Sequence, residues 1–79
     1  MVEVTVYGPG CARCAATVTM VEAAAARAGV PVTVSKVTDM RAIAAAGVMS
    51  TPGVAVNGRL VHAGGLPDAA RIPGWLAGA

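Results

Sequence analysis

Phenylalanine is absent from this sequence, and tryptophan and tyrosine occur once each, as Trp75 and Tyr7. Without large aromatic side chains, a core has to be built from Val, Ile, Leu and Met, packed against alanines that each remove little surface from water. Charge is sparse as well: Asp, Glu, Lys and Arg make up 13% of the residues and sum to +2. The basic residues Arg13, Arg27, Lys36, Arg41, Arg59 and Arg71 are scattered. No basic stripe therefore points to a nucleic acid or an acidic membrane surface as a partner. No segment approaches the roughly 20 apolar residues that a membrane span needs. Nor does a secretory leader read at the start, where Met1, Val2, Glu3 and Val4 lead straight into an alternating segment. These absences leave the cytoplasm as the expected compartment and a monomer as the expected form.

Cysteine is scarce too, and its two copies, Cys11 and Cys14, lie three apart. In a reducing compartment such a pair reads as reactive or metal-binding rather than as a structural staple. The chain is 56% apolar, which argues against disorder. Its 79 residues predict one domain, spanning 1–79, near the lower size limit for a self-sufficient core.

Val2, Val4 and Val6 alternate with Glu3 and Thr5 and predict a strand over 2–7. Gly8, Pro9 and Gly10 then make a turn. Over 12–28, Cys14, Val18, Val21, Ala25 and Ala28 recur at helical spacing, with Arg13, Thr17, Glu22 and Arg27 largely elsewhere; Gly29 is a helix stop. The alternation of Val30, Val32 and Val34 predicts a second strand over 30–37, with Pro31 near its start. Asp39 is placed to cap a short helix whose apolar stripe is Met40, Ile43 and Ala44, ended by Gly47. Asn57-Gly58 between the runs 54–56 and 59–62 is a strong hairpin signal. Pro67 and Asp68 open a last helix that Pro73 and Gly74 interrupt. The order is β-α-β-α-β-β-α. The first two strands, joined by a helix, should be parallel and the last two antiparallel. An α/β fold results, with a four-stranded mixed sheet and helices on both faces.

Cys11-Ala12-Arg13-Cys14 follows a strand and a turn and opens a helix. Unpaired N–H groups and the helix dipole favour negative charge at Cys11, and a thiolate is the attacking species in disulfide exchange. One helical turn brings Cys14 close enough to resolve a mixed disulfide. Arg13 either adds its charge to that effect or points to solvent, and both readings stay open. Two Cys and one His, His62, fall short of the four ligands of a closed zinc site. A metal shared between two chains stays open.

Thr51-Pro52 supplies the second signal, just before the hairpin expected beside the first strand. The dithiol, Thr51-Pro52-Gly53-Val54 and Val56-Asn57-Gly58 together resemble the thioredoxin/glutaredoxin superfamily. More narrowly, the stretch from Tyr7 to Cys14, Lys36-Val37-Thr38-Asp39 and Thr51-Pro52-Gly53 resemble the small thioredoxin-like redox-active disulfide proteins of bacteria and archaea. The resemblance covers nearly the whole chain. It implies a thioredoxin-like fold, a cis bond before Pro52, and a Thr51 backbone turned toward the dithiol and open to an extended substrate segment. It implies a thiol-disulfide oxidoreductase that needs no cofactor, with Cys11 and Cys14 catalytic and Thr51 and Pro52 binding substrate. Protein disulfides would be the substrates and a thioredoxin-reductase-like protein the electron donor. Three family features are missing here: the tryptophan before the first cysteine, a clear counterpart of the buried acid, and the glutaredoxin Cys-Pro-Tyr-Cys.

The alternative reading is a soft-metal or metalloid module using the same cysteines. Small copper chaperones also carry Cys-x-x-Cys after their first strand, but run β-α-β-β-α-β, whereas a helix is expected here after the second strand. Tyr7 is expected either beside the dithiol or in strand-end packing. Val48 and Met49 offer an apolar rim before Thr51 or serve ordinary packing. His62 reads as an exposed strand residue, Trp75 as an anchor for the last helix, and Met20 and Met40 as core fillers.

Overall fold

A computed structural model describes residues 1–10 and 12–78 of the chain. Cys11, on which the attacking sulfur is expected, lies outside the described residues, as does Ala79. The elements run β1 (Val2–Tyr7), α1 (Ala12–Ala28), β2 (Val32–Val37), α2 (Met40–Ala45), β3 (Gly53–Val56), β4 (Arg59–Ala63), a 3-10 turn (Ala69–Arg71) and α3 (Ile72–Ala77). The sheet has the order β2-β1-β3-β4. β1 is parallel to β2 and antiparallel to β3, and β3 is antiparallel to β4. The mixed four-stranded α/β architecture is the expected one.

Side chains alternate across the sheet, so each strand feeds two faces. Val4 and Val6 of β1, opposite Val56 and Val54 of β3, point to one face. Over Val4, Val54 and Val56 close Val21, Ala24 and Ala25 of α1 with Ile72 and Leu76 of α3, and Met20 and Trp75 pack at the margin. The other face carries Ala55 and Gly53. There Val48, just past α2, sits so close that a Cβ on Gly53 would lie 2.7 Å from Val48 Cγ1. Thus α1 and α3 cover one face and the α2 segment the other.

Two helices end in the same way. After α1, Gly29 takes a positive φ of 68°, its N–H donates to the Ala26 carbonyl, and the Val30 N–H donates to the Ala25 carbonyl. After α2, Gly47 does the same at 80°, with Gly47 bonded to Ala44 and Val48 to Ile43. Both are Schellman motifs. In the second, the flanking apolar pair Ile43 and Val48 is buried. The motif after α1 corrects the expected start of the second strand. Val30 is still bonded to the helix, so β2 begins at Val32 rather than at residue 30.

Other boundaries and faces shift for local reasons. The expected stripe of α2 reduces to Ile43, because a six-residue helix presents little more than one turn to the sheet. Ala44 is exposed and Met40, expected in the core, is 62% exposed. On α1, Thr17 is buried and Ala28 exposed, the reverse of the expected pattern. The last helix is split, but the break falls before Ile72, and Pro73 occupies the first turn of α3, where its missing N–H costs nothing.

Candidate functional site

The site begins with a glycine. β1 ends at Tyr7, yet the Gly8 N–H still donates to the Val37 carbonyl at 2.9 Å, so the ladder extends one residue further. Alternation puts Gly8 on the α1 face, in line with Val4 and Val6. There Cys14, in the first turn of α1, lays its sulfur in the space that a Cβ on Gly8 would fill. The same Cβ position is 3.7 Å from Thr51 Cβ. Strand, helix and the loop carrying Thr51 therefore meet at Gly8. The Thr51-Pro52 peptide is cis, and Pro52 is buried.

Cys14 is 5% exposed and lines a cleft of about 80 Å³ with Val6, Gly8, Gly10, Ala15, Lys36 and Thr38. Lys36 and Thr38 arrive there through the parallel register, in which Lys36 lies opposite Val6. In the sequence, Lys36 and Val37 read as the end of the second strand and Asp39 as a helix cap, and neither reading tied the stretch to the cysteine. The signal that places Lys36 beside the cysteine is the alternation of Val32 and Val34 carried two residues further. Among the described residues, the opening that this shielded sulfur borders is that cleft.

One turn beyond Cys14, Thr17 is 0% exposed, and its hydroxyl donates to the Arg13 carbonyl at 2.8 Å. A buried hydroxyl without a partner would cost free energy; here the helix backbone supplies the acceptor. The Arg13 side chain is exposed. Tyr7 is half-buried, and alternation directs it to the face opposite Cys14. Of the expected apolar rim, Val48 is buried against the sheet and Met49, just before the 50–52 stretch, is 93% exposed.

His62 differs from expectation. The hairpin pairs Val56 with Arg59 and Ala55 with Leu60, and then Val54 with His62, leaving Val61 as an extra residue. That bulge moves His62 onto the core face. It is half-buried, its ring lies 5.9 Å from that of Trp75, and its Nε2 donates to the Gly65 carbonyl at 2.9 Å.

A β-α-β-α-β-β-α order with a cysteine in the first turn of α1, facing a proline loop ahead of the third strand, defines the thioredoxin class of folds. The chain belongs to the thioredoxin domain family, whose profile matches residues 2–77. It is 36% identical over 72 residues to a thioredoxin of Methanocaldococcus jannaschii, an alignment that covers 91% of this chain and 83% of that protein. Among the described residues, no helix is long and apolar enough to cross a membrane.

Proposed function

We propose that the protein is a thiol-disulfide oxidoreductase acting on protein disulfides through Cys11 and Cys14. The observation that carries this reading is the convergence of Cys14, Gly8 and Thr51 at the start of α1 in a chain of the thioredoxin family. The Cys11 thiolate attacks one sulfur of a substrate disulfide, forming a mixed disulfide and expelling the other substrate sulfur as a thiolate. The Cys14 thiolate then attacks the Cys11 sulfur and expels the second substrate thiolate. The substrate leaves with two electrons more, and the protein is left as the Cys11–Cys14 disulfide. A dithiol donor, in the cell a thioredoxin-reductase-like protein, returns those electrons.

The division of labour follows from exposure. The resolving thiol should meet only the mixed disulfide formed next to it, and a sulfur 5% exposed suits that task. Thr51 and Pro52 would line up the substrate segment beside it. The helix that follows the second strand, α2, departs from the β-α-β-β-α-β order of small copper chaperones.

The test is insulin reduction with a dithiol donor. Wild type should turn over, Cys11→Ser should be inactive, and Cys14→Ser should accumulate a covalent adduct with the substrate that a reductant releases. Turnover by Cys11→Ser at the wild-type rate would overturn the mechanism.

A further inference from the structure

His62 lies outside the dithiol mechanism, yet it is tied to the proline loop by a short series of contacts. Its Nε2 donates to the Gly65 carbonyl at 2.9 Å. The neighbouring Gly64 N–H donates to the Pro52 carbonyl at 3.0 Å. Gly64 also packs so tightly that a Cβ there would lie 3.1 Å from Ser50 Cβ. On its other side, the imidazole rests against the Trp75 indole of α3 at 5.9 Å, with the ring planes inclined by 35°.

The segment that His62 holds is a pair of glycines. Gly64 and Gly65 both take positive φ, 89° and 67°, and glycine is the residue with most freedom to leave such a conformation. A turn of two glycines against a substrate loop would sample many positions unless tethered. The Gly64 N–H bond fixes one side, and His62 fixes the other. His62 can do so because the bulge at Val61 turns it onto the face where α3 lies. Trp75 limits the orientations of the ring, so that Nε2 stays aimed at the carbonyl.

We propose that His62, braced by Trp75, is a positioning residue that holds the turn at 64–65 against the Thr51-Pro52 loop and thereby sets how tightly a protein disulfide docks, while leaving the thiol chemistry alone. The role rests on the oxidoreductase reading above. It predicts a separation by substrate size. A protein substrate lies along the loop and feels its position. A small aromatic disulfide such as 5,5′-dithiobis(2-nitrobenzoate) reaches the cysteines without it.

The experiment compares wild type, His62→Ala and His62→Gln, whose amide N–H reaches about as far as Nε2. Three quantities are read: hydrogen exchange at the Gly64 amide, KM and kcat for insulin, and the rate with the small disulfide. In His62→Ala, Gly64 exchange should rise roughly tenfold, as for the loss of one partly buried hydrogen bond. The insulin KM should rise by about threefold to tenfold on the same scale. The insulin kcat and the small-disulfide rate should stay at wild-type values, and His62→Gln should recover most of the loss. Unchanged exchange at Gly64 in His62→Ala overturns the brace and leaves the oxidoreductase reading standing. Equal loss with both substrates overturns the docking role. A wild type that reduces neither substrate overturns the oxidoreductase reading and the docking role with it, whatever the exchange at Gly64 shows.

Discussion

Gly8 and Cys14 share one volume: the Cys14 sulfur occupies the place where any other residue at position 8 would carry its Cβ. A strand residue thus gives up its side chain so that the first turn of α1 can lie close over the end of the sheet. The backbone at Gly8 is held by its bond to Val37, and Cys14 is held by the helix, so neither can move far to make room.

Gly8→Ala should therefore be costly although the change is one methyl group. Overpacking a rigid site typically costs about 1–3 kcal/mol. We expect a loss of that size in urea-induced unfolding, together with reduced insulin turnover as the sulfur is displaced. Gly74→Ala is the control, since an added Cβ there meets nothing within 4 Å and alanine favours helix. It should leave stability equal or slightly raised. Equal unfolding midpoints for Gly8→Ala and wild type would show that the site yields freely.

Much of this arrangement is readable from residue order, and the unreadable parts have identifiable causes. The valine alternation of β1, the glycine stops at Gly29 and Gly47, the Asp39 cap and the Asn57-Gly58 turn act through neighbouring residues, so a linear reading finds them. Gly8 reads as the first residue of a turn because the demand on it comes from a sulfur six positions away. Thr17 reads as surface because hydroxyls favour water; its burial is permitted by a carbonyl in its own helix. The bulge at Val61 has no local signature, yet it decides which face His62 occupies. The 36–38 segment joins the cleft only once the parallel register of β2 is known. Of the candidate site, the pairing of Cys14 with the Thr51 loop was implied by the family resemblance rather than by any local pattern, and its glycine floor was not legible at all.

The second close approach predicts a rescue. At Gly53 an added Cβ would lie 2.7 Å from Val48 Cγ1 and 2.9 Å from Cγ2. Gly53→Ala alone should lose about 1–3 kcal/mol by overpacking. Val48→Ala alone should lose a similar amount through the cavity it leaves. Because the two act on one volume, the double variant should be more stable than the sum of the single losses implies, by about 0.5–3 kcal/mol. A double-mutant cycle in chemical denaturation measures this, and strict additivity would mean that Val48 swings away at no cost.

Asn57 joins turn and strand. Its φ of 50° and that of Gly58, 83°, are the two positive values that a type I′ turn needs. Its Oδ1 accepts the Glu3 N–H at 2.9 Å, and its own N–H donates to the Glu3 carbonyl at 2.7 Å. Asn57→Gly keeps the backbone conformation and loses only the side-chain bond, so it should cost about 0.5–1.5 kcal/mol. Asn57→Ala loses that bond and adds left-handed strain, roughly 1 kcal/mol more. The order wild type, Gly, Ala in thermal midpoint is the expected result; alanine equal to glycine would remove the strain from the account.

Thr17 separates the value of a buried hydroxyl from that of the space it fills. Its hydroxyl donates to the Arg13 carbonyl, which a helix also offers to the N–H four residues on. Such back-bonding satisfies the hydroxyl without adding much to helix stability. Thr17→Val keeps the branched shape and removes donor and acceptor together, so its unfolding free energy should stay within about 1 kcal/mol of wild type, in either direction. Thr17→Ala empties the site beside Cys14 and should lose about 1–2 kcal/mol, in proportion to the atoms removed. Thr17→Asp would bury a carboxylate where, among the described residues, the Thr17 hydroxyl is bonded to a backbone carbonyl and to no cationic group, and should unfold the domain or force the first turn of α1 open, because an uncompensated charge is far costlier to bury than a hydroxyl. Circular dichroism through urea titration ranks the three. A valine variant that fell as far as the aspartate would mean that the hydroxyl itself, rather than the packing, holds the start of α1 over Gly8.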